Sequence, residues 1–390
     1  MPLPTDLLNS LKCPNTKELI KRQLSPVRKH KRADFYTWRN EVSPADLYCY
    51  LFARFGFPNG VQNILRKDDS DNLVHWEWVL DHPQGKLSFT GLNFRTEILV
   101  TADWDRDESE SKQLVNCIKT DFGAWGRQMS EVRKHLEDWM EFVNPYRRLR
   151  TSVDNLLQDL RSLGLSPEDQ VPSEGTTFEP FPEEKWNELS TKYSKGLGLC
   201  FGIRSMLPVL AEAYINFLLF VLLKPEIKTD ARLRESIIRQ QIDIRVKSLH
   251  LNCIGFSKPV DYSTPECKAY HTLVNERNDL LHGNVVLEKL KFNEIYFHGR
   301  VPIFKEYRSI WERTVGMEMN SVGLHRMESE VKIVNDFIEH LGTYLVPDIK
   351  NEIDLMSKKR NLGWNEKTAR IGILFPDQLA DFRVKVKEDV

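Results

Sequence analysis

Cysteine is scarce in this sequence and never clustered. The six residues Cys13, Cys49, Cys117, Cys200, Cys253 and Cys267 contain no C-x-x-C pair. That spacing excludes a zinc ribbon and a disulfide framework, and it points to free thiols in a reducing, cytoplasmic compartment. Charge of one sign is equally scarce. A formal net charge of −1 over 390 residues excludes a general polyanion binder, so any nucleic-acid contact must come from a local patch. Uninterrupted apolar sequence is also lacking. No apolar core precedes the first charged residues, so no signal peptide is expected. The most hydrophobic run, 205–223, is broken by Pro208, Glu212 and Asn216 and follows Arg204, which predicts a buried core helix and no membrane partner. A metal template is missing too. Asp103-Trp104-Asp105-Arg106-Asp107 alternates carboxylates like a calcium loop, but Glu108 stands where that loop needs Gly and Leu114 where it needs Glu. The cluster reads as a solvated turn and helix start, with no metal.

Hydrophobic residues make up 41% of the chain and aromatics 10%, enough for packed cores in two or three domains. Residues 1–40 carry nine Lys or Arg against three acids, which fits either an arm that tracks phosphates or a solvated helix and loop near Pro26. Ser43-Pro44 starts a helix that Gly56 closes. Between Leu73 and Ala102, three β-rich runs separated by turn residues predict a small antiparallel meander. From Leu114 to Val143, apolar residues recur every three or four positions, predicting one long helix. Asn144-Pro145 starts another, so a long helical hairpin is expected. Arg147 and Arg148 lie at that second helix start, and Lys358, Lys359 and Arg360 lie in a basic tail that also holds Trp364. These five cations are the candidate RNA-phosphate contacts.

Gly and Pro punctuate 164–184, the expected linker. Helices are expected near 185–200, 203–223, 230–252, 265–282 and 310–343, with Thr229 and Thr264 as N-caps and a short hairpin inserted at 294–304. The fold class expected is mainly α. An α+β regulatory or sensing domain spans 1–163, a helical domain 185–350, and the basic tail 351–390.

The most informative stretch is Glu276-Arg277-Asn278-Asp279-Leu280-Leu281-His282-Gly283-Asn284. Arg277 interrupts a face made by Leu273, Val274, Leu280 and Leu281, and Asn278 and His282 are four apart on an adjoining stripe. Gly283 suits a left-handed C′ position. A second Arg-x4-His pair, Arg245 and His250, has Val246 after the Arg and no Gly after the His. Arg277 to His282 resembles the R-x4-6-H signature of the HEPN superfamily, many of whose members are metal-independent endoribonucleases of toxin–antitoxin and anti-phage systems. The resemblance covers roughly 185–345 and implies an HEPN-like helical bundle that cleaves RNA without a cofactor. It also implies a homodimer that pairs motif helices across a two-fold axis, and an antitoxin or regulatory partner. In this reading Arg277 stabilises the charge on phosphorus, His282 transfers a proton, and Asn278 orients the imidazole or binds a phosphate oxygen. In HEPN toxins modified by nucleotidyltransferases a Tyr lies two residues after the His. Asn284 stands there, so that mode of neutralisation is not expected. The rival reading is a non-catalytic HEPN-like dimerisation or nucleotide-sensing module.

Overall fold

The computed structural model describes residues 6–23, 30–61, 74–105, 107–165, 183–308 and 312–374. The chain forms two compact units, 1–142 with 363–390, and 143–362. It is mainly helical with a four-stranded antiparallel sheet.

The first unit opens with α1 (Leu7–Ser10) and α2 (Thr16–Gln23), then β1 (Arg32–Trp38) and α3 (Pro44–Phe55). The Ser43 side chain caps α3 by accepting from the Asp46 N–H, and Gly56 ends it at φ +79°. The meander follows as β2 (Trp76–His82), β3 (Gly85–Gly91) and β4 (Thr96–Ala102), as the alternating pattern predicts. It is part of a larger sheet with strand order β1-β4-β3-β2. β1 comes from the stretch read as a basic arm or a solvated helix, and pairs along β4 from Arg32↔Ala102 to Trp38↔Thr96. Two basic residues of that stretch are paired: Arg22 of α2 with Asp81 at the surface, and Arg32 of β1 with the buried Glu110 through a forked bond at 2.6 and 2.7 Å. Glu110 is 2% exposed, and also accepts from Tyr36 Oη and Trp104 Nε1. Burial, and then the hydrogen bond to Glu110, push the Tyr36 phenol up to about 12.

One sheet face, with Leu87, Phe89, Ile98 and Val100, is sealed by Leu47, Tyr50 and Leu51 of α3 and by Leu114 and Ile118 of α4 (Glu110–Lys134). Gly91 opposes Trp76 across β2–β3, and any Cβ there would enter the Trp76 ring, so the close approach requires glycine. α4 ends at Lys134, well before the Val143 expected from periodicity. Bonds of the i→i+3 kind close it at His135 and Leu136, and the β-prone run that follows forms the short strand β5 (Met140–Val143).

The second unit is built on α6 (Glu183–Leu222), a single 40-residue helix in place of the two expected. It carries Gly196, Gly198, Gly202 and Pro208, and tertiary packing overrides these breakers. α6 is apolar and long enough to cross a membrane by composition, but its apolar side chains form the core: Ile203, Leu207, Leu210, Ile215 and Leu218 are all buried. Packed on α6 are α5 (Pro145–Ser162), α9 (Ile242–Asn252), α10 (Pro265–His282) and α13 (Met327–Gly342). The expected helical hairpin is therefore replaced by separate pairings, α4 with α3 and α5 with α6.

Between α6 and α9 lie α7 (Pro225–Thr229) and α8 (Ala231–Ile238), capped by Asp230 where Thr229 was expected. The Thr229 hydroxyl instead donates to the Pro225 carbonyl. Thr264 precedes α10 but its side chain makes no cap; its hydroxyl meets His340. Beyond α10 come α11 (Leu287–Leu290) and a hairpin of β6 (Ile295–His298) and β7 (Val301–Phe304), as expected. The single helix expected at 310–343 is a π-turn (Glu312–Gly316), α12 (Met317–Ser321), a 3₁₀ turn (Leu324–Arg326) and α13, broken at Gly323, which sits at φ +69° against the Arg204 guanidinium. α14 (Pro347–Ser357) closes the unit. β8 (Asn361–Asn365) and β9 (Arg370–Gly372) pair antiparallel, with Trp364 opposite Ile371. Most of the expected linker, 166–182, lies outside the described residues.

Candidate functional site

α10 is fixed by its buried face. Tyr270 stacks on Phe337 of α13 with ring centroids 4.1 Å apart, and its hydroxyl donates to the Pro208 carbonyl on α6 at 3.1 Å. Burial pushes the Tyr270 phenol well above its ordinary range, and Glu212, Arg245 and Arg277 are all close enough to act on it. Two turns later Arg277 is half-buried, and its Nε is buried with no hydrogen-bond partner. Asn278 is also half-buried. His282 is the last helical residue and is exposed. Gly283 takes the left-handed conformation at φ +64°, and the N–H groups of Gly283 and Asn284 both reach the Asp279 carbonyl. The helix end is thus the glycine-capped terminus that the sequence implies.

Within one chain Arg277 and His282 do not converge. Five residues of a straight helix turn through about 500°, so the two side chains point about 140° apart. A phosphate gripped by both requires a bent helix or a second chain.

The neighbourhood holds polar residues that the motif alone does not reveal. Arg245, of the set-aside second pair, is buried and donates to Asn216 Oδ1 at 2.8 Å and to Glu212, both on α6. Its Nε, like Nδ1 of His250, is buried without a partner. The sequence signal is Glu212 and Asn216, four apart in the apolar run 205–223. Both Arg-x4-His arginines therefore act on Tyr270 and each has an unpartnered Nε, but Arg245 is also held in an ion pair with Glu212.

Beside the motif a second polar group ties three helices together. Arg204 of α6 donates through Nε to Glu330 of α13 at 2.8 Å, through Nη2 to Glu276 of α10 at 3.0 Å, and through Nη1 to the Val322 carbonyl at 3.3 Å. Arg326 adds a bond to Glu276 at 2.9 Å. Arg204, Glu276 and Arg326 border a small cleft of about 90 Å³ that also touches Asp279 and Asn284. A larger cleft of about 550 Å³, lined by Leu160, Tyr193, Met319 and Met327, includes no residue of α10.

The five cations nominated for phosphate contact, more than 200 positions apart in sequence, are brought together by Asn144. This side chain is fully buried. Its Oδ1 caps α5 by accepting from the Tyr146 and Arg147 N–H groups, while its Nδ2 is shared among the carbonyls of Met356, Ser357 and Lys359 at 3.2–3.4 Å. Its own N–H donates to the Arg360 carbonyl, and Arg147 Nε donates to that of Lys358 at 3.1 Å. Arg148, Lys358 and Arg360 are exposed on this joint, whereas Arg147 is partly used in holding it. Asn144→Ala is expected to cost about 2–3 kcal/mol in chemical denaturation, because a cap is lost and buried carbonyls lose their donor. Asn144→Asp keeps the cap but presents a carboxylate to those carbonyls, so an Asp variant as stable as the wild type would refute this account.

The acidic run forms a helix start. Asp107 accepts from the Ser109 N–H and hydroxyl, which hold its carboxyl below the usual range, and Asp103 faces His30. Among the described residues no group of three His, Cys, Asp or Glu side chains is placed to hold a metal. Compared with known proteins, the chain matches no family model, no curated protein and no solved structure.

Proposed function

We propose that this chain is a metal-independent endoribonuclease of the HEPN type, acting as a homodimer through α10 in a toxin or anti-phage setting. The observation that carries the reading is the end of α10, where a half-buried arginine with an unpartnered Nε stands five residues before an exposed histidine at a glycine-capped terminus. Arginine presents a fixed charge in a planar fork suited to phosphate oxygens, and histidine is the side chain suited to proton transfer near neutral pH.

The reaction needs no metal. The RNA 2′-oxygen attacks the adjacent phosphorus as its proton passes to one His282. The 5′-oxygen leaves with the proton returned by that same imidazole, giving a 2′,3′-cyclic phosphate and a 5′-hydroxyl. Arg277 stabilises the charge that builds on the phosphorus oxygens, and Asn278 orients the imidazole or binds one of those oxygens. A two-fold axis near α10 answers the divergence of Arg277 and His282 within one chain by letting each phosphate see Arg277 of one copy and His282 of the other. The joint carrying Arg147, Arg148, Lys358, Lys359 and Arg360 is the candidate track for the RNA backbone.

The test is incubation of RNA with purified protein in EDTA, the wild type beside Arg277→Ala and His282→Ala, with the new ends identified by mass. Cleavage by the wild type that both variants retain would overturn the reading in favour of a scaffold or ligand-sensing module.

A further inference from the structure

The hairpin that follows the motif is formed but uncovered. β6 and β7 make a sheet of only two strands, and such a hairpin is marginal in water on its own. Its root is fixed: Glu294 is held between Lys291 and Lys305, whose hydrogen bonds pull its carboxyl down to about 2, and Arg313 lies over the Phe304 ring. Its strands carry apolar side chains to solvent on both faces. Phe297 is 67% exposed, Val301 61%, and Tyr307 just beyond is 92% exposed. Val285 and Leu287, between the motif and the hairpin, are as open. Across 281–307, ten large apolar side chains are at least two-fifths exposed. At about 100 Å² exposed apiece for side chains of this size, they present on the order of 1,000 Å² per chain. A standard interface takes about 800 Å² from each partner.

The register decides which edge can accept a partner. The Lys305 N–H donates to the Glu294 carbonyl at 3.2 Å, which makes those two a hydrogen-bonded pair. Pairs alternate along an antiparallel ladder, so Tyr296↔Ile303 and His298↔Val301 are bonded pairs, while Ile295↔Phe304 and Phe297↔Pro302 are not. On β7 the outward-facing residues are Pro302 and Phe304, and proline has no N–H to offer, so that edge is blocked. On β6 the outward-facing backbone groups belong to Ile295 and Phe297, and both can donate and accept.

We propose that β6 pairs antiparallel with β6 of a second copy of this chain, giving a continuous four-stranded sheet β7-β6-β6-β7 across the dimer two-fold axis. Ile295 of one copy exchanges both backbone hydrogen bonds with Phe297 of the other, and the reverse pair completes four bonds. Tyr296 then faces its own symmetry mate. The paired segment between Glu294 and His298 is Ile-Tyr-Phe, so no charge is buried. This inference rests on the dimer half of the proposed function and says where the two chains join.

The experiment is disulfide trapping of the full chain in a Cys117→Ser background, since Cys117 is the exposed native thiol. Facing residues in a non-hydrogen-bonded pair lie about 4.5 Å apart at Cα, within disulfide reach. Tyr296→Cys is expected to cross-link nearly completely under mild oxidation, and Ile303→Cys, on the blocked strand, hardly at all. Phe297→Pro removes an outward N–H without touching a bond of the hairpin, and is expected to shift the chain to monomer in light scattering. A wild-type dimer in which Tyr296→Cys cross-links no better than Ile303→Cys overturns the hairpin pairing while leaving the nuclease reading intact. A wild-type monomer at tens of micromolar overturns both the pairing and the dimer.

Discussion

His282→Ala is expected to lower RNA cleavage by about 10²- to 10⁴-fold, the usual contribution of a positioned proton-transfer group. Arg277→Ala should cost about 10²- to 10³-fold, as for removal of a preorganised donor to a developing anion. The two losses should not add, because each disables the same transition state. Geometry supplies a stricter test than either single variant. If the phosphate is held by Arg277 of one chain and His282 of the other, mixing the two inactive variants creates heterodimers with one complete half-site. The mixture should then recover cleavage well above either variant alone, with 2′,3′-cyclic phosphate ends and no loss in EDTA. A site contained in one chain predicts no recovery on mixing. Single variants that are inactive and never complement would therefore reject the composite cleft while leaving the two residues essential.

The elements that carry this argument were legible because each had a local chemical cause. Asn144-Pro145, Ser43-Pro44 and Gly283 are caps and breakers whose effect is set within a few residues, and the helix starts and ends fell where they stand. The meander and the 294–304 hairpin are readable from β-rich runs separated by turn residues. What stayed hidden depends on partners far along the chain. β1 looks like part of a basic arm because Arg32 reads as a solvent charge until the buried Glu110 meets it. The unbroken α6 defies its glycines and Pro208 because α5, α9, α10, α12 and α13 pack on it. The end of α4 was overrun because apolar residues at three- and four-residue steps continue into β5, where they serve a strand instead. At the site, the motif marked α10 but not its surroundings. Glu212, Asn216 and Arg245 gather there only because α6 and α9 are neighbours, and nothing short of the fold joins residues 144 and 360.

Arg204→Met is expected to destabilise the second unit by about 3–5 kcal/mol, because it takes from the buried Glu330 carboxylate its hydrogen-bonded guanidinium and leaves it Arg326 at 3.7 Å. Glu330 is only 3% exposed and Arg204 5%, so water cannot replace the lost guanidinium. Glu276 suffers less, since it keeps a direct hydrogen bond from Arg326 at 2.9 Å. For a unit of this size the loss corresponds to a melting temperature lower by roughly 6–20 °C. The double variant Arg204→Met, Glu330→Leu removes both charges and should recover much of that loss, as apolar replacements of buried pairs commonly do. A single variant within 1 kcal/mol of the wild type would mean that the network is looser than its distances imply. The double variant also separates stability from positioning. Glu276 immediately precedes Arg277, and Arg204 is the link from Glu276 to the core of α6. If the double variant is stable, binds RNA as before and cleaves it slowly, the network's role is to hold the last turns of α10 in register for the partner chain. Unchanged cleavage would assign it to folding alone, with α10 held by the Tyr270 stack on Phe337 and its bond to Pro208.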